Sequence, residues 1–442
     1  MIDFLKAQPD RPVILKSAEI TERYHYWRLH IMLTMYGGYA WLFCMRKSLN
    51  HVMPAVMVDQ GLDLSDIGLM GTLFYTVYGC SKFISGMASD QANPRYFMGL
   101  GILISGLANV LLGFSNSMVS FTCLIVVSAC FHGWGWPPCA RLLTSWYSQS
   151  ERGVWWSCWN TAHNVGAALS TLIVGYIAMY YGWREALVVI GLLGMIAGIM
   201  VCWRLRDKPA TMGLPSVGAW GQDPLEQQQE NTEPDLNYQV ILSVYVLKNQ
   251  YIWLLAVSYV LVYIVRIAVS DWVNLYFVQA HHYDLVSANS ILFIFEVGGF
   301  LGSLVAGWGS DKLFGGNRGP MNLLFALGVF LSVVALWLMP VFSFVLQASC
   351  VFAIGFFVFG PQMLIGMAAA ECSHKAAVGA ATGLLGLFAY LGAALAGYPM
   401  ALVIEHYQWT GFFIVLTVVS AVIGLLLLPF FLAQVPDQVA VD

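Results

Sequence analysis

The sequence predicts an all-α integral membrane protein, with twelve transmembrane helices in two pseudo-symmetric halves of six. Three observations carry that prediction. Hydrophobic residues make up 59% of the 442 and charged residues only 10%, whereas a soluble fold keeps about a quarter of its residues charged. Apolar runs of eighteen or more residues recur about a dozen times, each able to cross a ~30 Å hydrocarbon core as a helix. Two landmarks also repeat at nearly one interval. Arg46 returns as Arg266, 220 residues on, and Gly86, Ser89 and Asp90 return 221 residues on as Gly307, Ser310 and Asp311. A unit repeated in this way is the architecture of secondary transporters.

Residues 1–29 are polar and mixed in charge, with no early cleavable signal, so the first span is expected to be retained. The N-terminal half, 30–203, holds spans near 30–52, 66–86, 96–115, 118–140, 155–179 and 185–203. Residues 204–250 are the longest polar interruption, where prolines and a Gln run discourage a packed core; they read as a linker. The C-terminal half, 251–433, holds spans near 251–278, 288–308, 320–339, 343–367, 376–403 and 410–433, and 434–442 is a tail. Connections within each half are short, as antiparallel neighbours require. Glycines such as Gly298, Gly299 and Gly302 let helices approach closely. Numbering the spans in order puts fifteen of the 20 Lys and Arg residues on the side of the N-terminus and only Arg184 clearly opposite. The positive-inside rule then makes the segment 1–29, the linker and the tail cytoplasmic.

Composition excludes a soluble enzyme, and no GxxxxGK[ST] phosphate loop supports an ATP-driven pump. No cofactor is expected. The net charge of −4 identifies no partner, and beyond the lipid bilayer no nucleic acid is expected. The nine cysteines lie mostly inside spans without CxxC pairs, so they read as small buried side chains rather than a disulfide framework. His281 and His282 are adjacent, the wrong spacing for two ligands on one helix face, and no metal site is expected.

The polar residues inside the spans carry the chemistry. Arg46 lies about 24 Å along its helix from His30 at 1.5 Å per residue, and Arg266 is placed similarly from Tyr251. A guanidinium there costs roughly 2.5 to 3.5 kcal/mol. Asp271 and Glu296 are the acids near these spans, against Arg46, Lys47, Lys82 and Arg266. The cationic excess calls for an anion, and the planar fork of arginine suits phosphate oxygens. Neighbouring helical residues point about 100° apart, so Arg46 is expected to face the cavity and Lys47 to turn to a headgroup or a neighbouring helix. Lys82 can swing toward the same anion. His163, flanked by Asn160 and Asn164, can change charge near neutral pH. Tyr39, Tyr78, Tyr259 and Tyr263 offer hydroxyls for secondary contacts, while Trp155, Trp156 and Trp159 read as residues that anchor or pack a helix end.

The segments SDQANPR and SDKLFGGNR, each following the second helix of a half, resemble the loop signature of the major facilitator superfamily. The resemblance implies that Asp90 and Asp311 brace helices between conformations. RGVWWSCWNTAHNVGA, with YAWLFCMRKS, YGCSKF, VRIAVSDW and GPQMLIGMAAAECSHKAA, is similar to the organophosphate and inorganic phosphate antiporter family within that superfamily. It implies a clamp on the substrate phosphate by Arg46 and Arg266, with Lys82, His163, Tyr39 and Tyr78 at family positions. Phe43 stands where the family has a further tyrosine. Thr382 and Leu385 stand where hexose-phosphate carriers have an Asp and a Lys, and here the chain resembles the family's membrane sensors. The expected function is exchange of a sugar phosphate, glucose 6-phosphate foremost, for inorganic phosphate in a bacterial inner membrane. The alternative is a receptor for external glucose 6-phosphate that signals to a membrane histidine kinase.

Overall fold

The computed structural model describes residues 9–13, 17–89, 92–223, 247–314, 317–339, 343–371 and 378–432. The first half comprises α1 (Ser17–Gln60), α2 (Leu64–Ser89), α3 (Pro94–Gly113), α4 (Met118–His132), α5 (Trp136–Trp146), α6 (Gln149–Asn160), α7 (Ala162–Tyr181) and α8 (Trp183–Arg204), followed by the short α9 (Val217–Gly221). The second comprises α10 (Gln250–His281), α11 (Leu285–Lys312), α12 (Arg318–Leu338), α13 (Phe344–Glu371), α14 (Val378–Leu395) and α15 (Tyr398–Leu432).

Local chemistry sets the helix ends. Asn93 caps α3 by accepting from the Arg95 amide, with Pro94 in the first turn, and Asn317 caps α12 by accepting from the Gly319 amide. Both caps close the loop after the second long helix of their half, so the internal repeat extends to cap chemistry. Three expected spans are each divided, the stretch 376–403 at Ala396–Gly397, between α14 and α15. The stretch 118–140 breaks at Gly133–Gly135, where α5 restarts with a proline in its first turn, and 155–179 breaks at Thr161. The boundary expected between 403 and 410 is instead a kink inside α15 at Gln408, with φ 56° and ψ −164°.

Among the described residues nine helical stretches are long and apolar enough to cross a membrane. α1 and α2, which carry Arg46, Lys47 and Lys82, are not among them, and the last stretch, Gly383–Pro429, is 47 residues long and includes the kink. Twelve crossings require α1 and α2 to cross despite their charges and that last stretch to cross twice. The outer surface is apolar, with Leu33, Val119, Ile199, Leu327, Leu338 and Leu425 all exposed, as a lipid-facing surface must be.

One large cluster of buried apolar side chains lies within the first half, and a second fills the other half and takes in Met53, Ile67, Tyr75, Tyr78 and Ala129 from the first. Close helix contacts hold the clusters together. A Cβ at Gly302 of α11 would collide with the Phe356 carbonyl of α13, and one at Gly166 of α7 with the Ala40 carbonyl of α1, so glycine is required at both crossings. The described cysteines are all free; Cys44 and Cys139 are buried, but Cys80, Cys123 and Cys158 are exposed, contrary to the buried role expected of them.

We call the face where α1 begins the near face and the one where it ends the far face. The halves meet along α2 with α14 and α15, along α7 with α11, and where α1 touches α10 and α11. Among the described residues, the hydrogen bonds joining them run from the centre to the far face. Ser65 donates its amide and hydroxyl to Glu405 at 2.8 and 2.7 Å, Thr72 donates to the Ala394 carbonyl at 2.7 Å, and Asn274 and Asn289 both donate to the His51 carbonyl, at 3.3 and 3.2 Å. The far side is sealed.

On the near face the start of the expected linker packs against the first half. Asp207 is paired with Arg141, and its carbonyl accepts from Trp146 at 2.7 Å. Tyr24 donates to the Pro215 carbonyl and stacks on Trp220 at 4.4 Å. Arg28, paired with Glu151, lies over the Tyr147 ring at 4.7 Å. These contacts explain why α1 begins at Ser17, well before the apolar run at 30. Residues 224–246 and the expected tail 434–442 lie outside the described residues.

Candidate functional site

The candidate site gathers three cations that enter no ion pair among the described residues. The Arg46 guanidinium lies among aromatic rings, its Cζ 4.5 Å from the Tyr78 centroid, 5.1 Å from Phe43, 5.3 Å from Phe74 and Tyr75, and 5.9 Å from Tyr390 of the other half. Ring faces attract a cation at such distances but leave its N–H groups without strong acceptors. Indeed the buried Arg46 Nε has no hydrogen-bond partner. Arg266 on α10 is held in the same way, 4.6 Å from Phe359 and 5.4 Å from Tyr263. Lys82 on α2 has its Nζ 4.6 Å from the Trp136 ring and 5.3 Å from Tyr390. Among the described residues none of these three enters an ion pair.

Lys47 provides the contrast. It reaches across to α10 and pairs with Asp271 at 2.6 Å, while the Tyr75 hydroxyl donates to the other carboxylate oxygen at 2.6 Å. Of the two orientations left open by the sequence, a headgroup and a neighbouring helix, the structure has the second. Glu296 is buried on α11 and accepts from the Asn164 amide at 3.0 Å, outside any ion pair among the described residues. Asp271 is thus taken by Lys47, while Glu296 lies within electrostatic reach of Arg266 without an ion pair among the described residues, so these two acids face four cations and a cationic excess remains.

His163 sits in the first turn of α7, just past the helix break. Its Nδ1 bonds to the Asn160 carbonyl, which the break leaves free, while the buried Nε2 has no partner. With Nδ1–H donating, a neutral ring presents Nε2 as an acceptor, suited to a protonated phosphate oxygen or a sugar hydroxyl. The ring lies 5.5 Å from Phe43 and 5.9 Å from Phe359, within electrostatic reach of both arginines. Asn160 contributes its backbone and Asn164 orients Glu296.

The tyrosines surround the same space. Tyr78 and Tyr263 lie 4.6 and 5.9 Å from Tyr390, Tyr259 lies 4.9 Å from Tyr263, and Tyr39 packs against Trp159 at 4.8 Å. Trp159, next to last in α6 and fully buried, packs a helix end, one of the two roles expected of it. Tyr390, Phe359 and Trp136 were not picked out in the sequence. Among the described residues Tyr390 is the ring that approaches both Arg46 and Lys82, yet in LFAYLG it looks like any aromatic in an apolar span. Asp90 lies outside the described residues, and Asp311 falls in the last turn of α11 with its side chain outside the description. His281 bonds to the Tyr276 hydroxyl at 2.8 Å and to Gln347 at 3.2 Å, and no metal-ligating cluster occurs among the described residues.

Two halves of one architecture therefore meet at a central space that presents cations and aromatic hydroxyls from both. The profile of the Major Facilitator Superfamily matches residues 35–397. The chain belongs to the Major Facilitator Superfamily. It is 56% identical over 438 residues to the membrane sensor protein UhpC of Escherichia coli (strain K12), covering 99% of this chain and 100% of that protein. It is 45% identical over 420 residues to a probable hexose phosphate transport protein of Chlamydia pneumoniae, covering 93% of this chain and 92% of that one. In fold it is similar to a bacterial homologue of the human lysosomal transporter Spinster, with a TM-score of 0.72 at 13% identity over 94% of this chain and 99% of the other. As a Major Facilitator Superfamily protein it is a multi-pass membrane protein, not an enzyme.

Proposed function

We propose that the chain binds a sugar phosphate, glucose 6-phosphate foremost, between Arg46 and Arg266 and exchanges it for inorganic phosphate by alternating access. The observation that carries this reading is that Arg46, Arg266 and Lys82 converge from both halves without an ion pair among the described residues, in excess of Glu296, while Lys47 beside them is neutralised by Asp271. A bound phosphate supplies the missing charge and accepts from both guanidinium forks. Because the anion bridges halves, the molecule reorients when the site is filled and resists doing so when it is empty, which gives exchange rather than uniport. His163 and the hydroxyls of Tyr39, Tyr78 and Tyr263 complete the contacts. In this reading the termini and the near face are cytoplasmic, the far face is external, and Asp90 and Asp311 brace the near-face loops.

A second reading is favoured by one position. Leu385 is a buried leucine on α14 where the resembled carriers have a lysine, and the UhpC protein at 56% identity is named as a membrane sensor. In this reading external glucose 6-phosphate binds the same residues and the reorientation is passed to a membrane histidine kinase, driven by different affinities for the two conformations. The deciding experiment is uptake of radiolabelled phosphate into proteoliposomes holding unlabelled phosphate, with glucose 6-phosphate as competitor and Arg46→Ala as control. Exchange that is inhibited by the hexose phosphate and lost in the variant supports the carrier. Binding of glucose 6-phosphate without exchange supports the sensor, and absence of both overturns the shared site.

A further inference from the structure

His51 is the one residue of α1 whose backbone both asparagines of the far-side seal address. Its carbonyl accepts from Asn274 of α10 at 3.3 Å and from Asn289 of α11 at 3.2 Å. Its imidazole is only 3% exposed, yet neither ring nitrogen has a hydrogen-bond partner. Side chains four apart share a helix face, so His51 continues the face from which Lys47 reaches Asp271, one turn toward the outside. Asn274 likewise follows Asp271 by nearly one turn on α10. The seam thus buries a polar ring beside the ion pair that joins the halves and gives it nothing to bind.

Buried polar groups are normally satisfied, and a ring with two idle nitrogens at a seam that must part acquires partners once the seam opens. In the arrangement with the far side open, the bonds from Asn274 and Asn289 and the Lys47–Asp271 pair all separate. The imidazole then lines the cleft opened between α1 and α10, one turn outside the level of Lys47. We propose that His51 is the outermost contact for the incoming phosphate group: a hydrogen-bond donor of the externally open state that is withdrawn when the far side seals. The inference rests on the alternating exposure of the site just described. It adds a station that serves ligand arriving from the far side alone and has no part in the near-side-open site.

The test measures half-saturation for radiolabelled glucose 6-phosphate on each face separately, using right-side-out and inverted membrane vesicles carrying the full chain. His51→Leu, which keeps bulk and removes the donor, is expected to raise the half-saturation on the external face roughly fivefold, the scale of one hydrogen bond, and to leave the cytoplasmic face unchanged. His51→Gln, which keeps a donor, restores external binding. A purely structural role would instead shift the balance of open states, moving the two faces in opposite directions and leaving Gln no better than Leu. That result, or an unchanged external face in His51→Leu, overturns the inference. Wild-type vesicles that bind at neither face overturn the sugar-phosphate reading itself, a separate outcome.

Discussion

Removing Asp271 tests how the far side is held shut. In Asp271→Ala, Lys47 is left in a seam where its side chain is only 7% exposed, and the Tyr75 hydroxyl loses its acceptor. Taking one partner from a buried ion pair costs about 3 to 5 kcal/mol, because the remaining charge is uncompensated. The strain falls on the sealed arrangement, since parting the halves returns Lys47 to water. At 1.4 kcal/mol per tenfold, even 3 kcal/mol moves the balance between sealed and open by roughly a hundredfold. Hydrogen–deuterium exchange along the far ends of α1, α2 and α10 reads this balance without introducing probes. Exchange there should accelerate strongly in Asp271→Ala and fall back toward wild type in Lys47→Ala/Asp271→Ala, where no charge is stranded. A double variant that exchanges as fast as the single one, or a single variant indistinguishable from wild type, would refute the reasoning.

Three further outcomes are expected. Arg46→Lys keeps the charge but loses the fork, so glucose 6-phosphate affinity should drop by about one charge-assisted hydrogen bond, roughly 1.5 to 3 kcal/mol or ten- to a hundredfold, with no loss of thermal stability; equal affinity in titration calorimetry would count against bidentate binding. Gly302→Val inserts a side chain against the Phe356 carbonyl, where main chain must move, and overpacking of about 1 to 3 kcal/mol or more should appear as a lower melting temperature in detergent. On the near face, burial raises the Asp207 carboxyl above its ordinary range despite Arg141, so the folded chain takes up that proton at higher pH than the unfolded one. Stability from this group therefore rises as pH falls through the raised value toward the unfolded one near 3.9. The melting-temperature advantage of Asp207→Asn should shrink across the same window, and a gap that widens instead would reverse the assignment.

The candidate site was legible to a different degree at each position. Arg46, Arg266 and Lys82 stood out because charge inside an apolar run is costly wherever it lies, and the excess over Asp271 and Glu296 already called for an anion. Which cation the acids would take was not legible. Lys47 and Arg46 differ by one helical step, and only the placement of α10 beside α1 brought Asp271 to Lys47. Tyr390 and Phe359 were invisible for the converse reason, since an aromatic in an apolar span costs nothing and so leaves no signal. The breaks at Gly133–Gly135 and Thr161 were also missed, because average hydropathy runs smoothly through both.

The sequence by itself determined that the chain enters a membrane, that it repeats one unit, and that each unit brings an arginine from its first long helix. These follow from transfer energies and spacings, which are additive along a chain. Tertiary structure alone decided which charges are neutralised, that His163 presents a free Nε2 because α6 ends at Asn160, and that the halves are bonded from the centre to the far side. Those facts depend on which faces of separate helices meet. A contact between residues more than two hundred positions apart, such as Lys47 with Asp271, is fixed by packing across the seam and not by any local pattern.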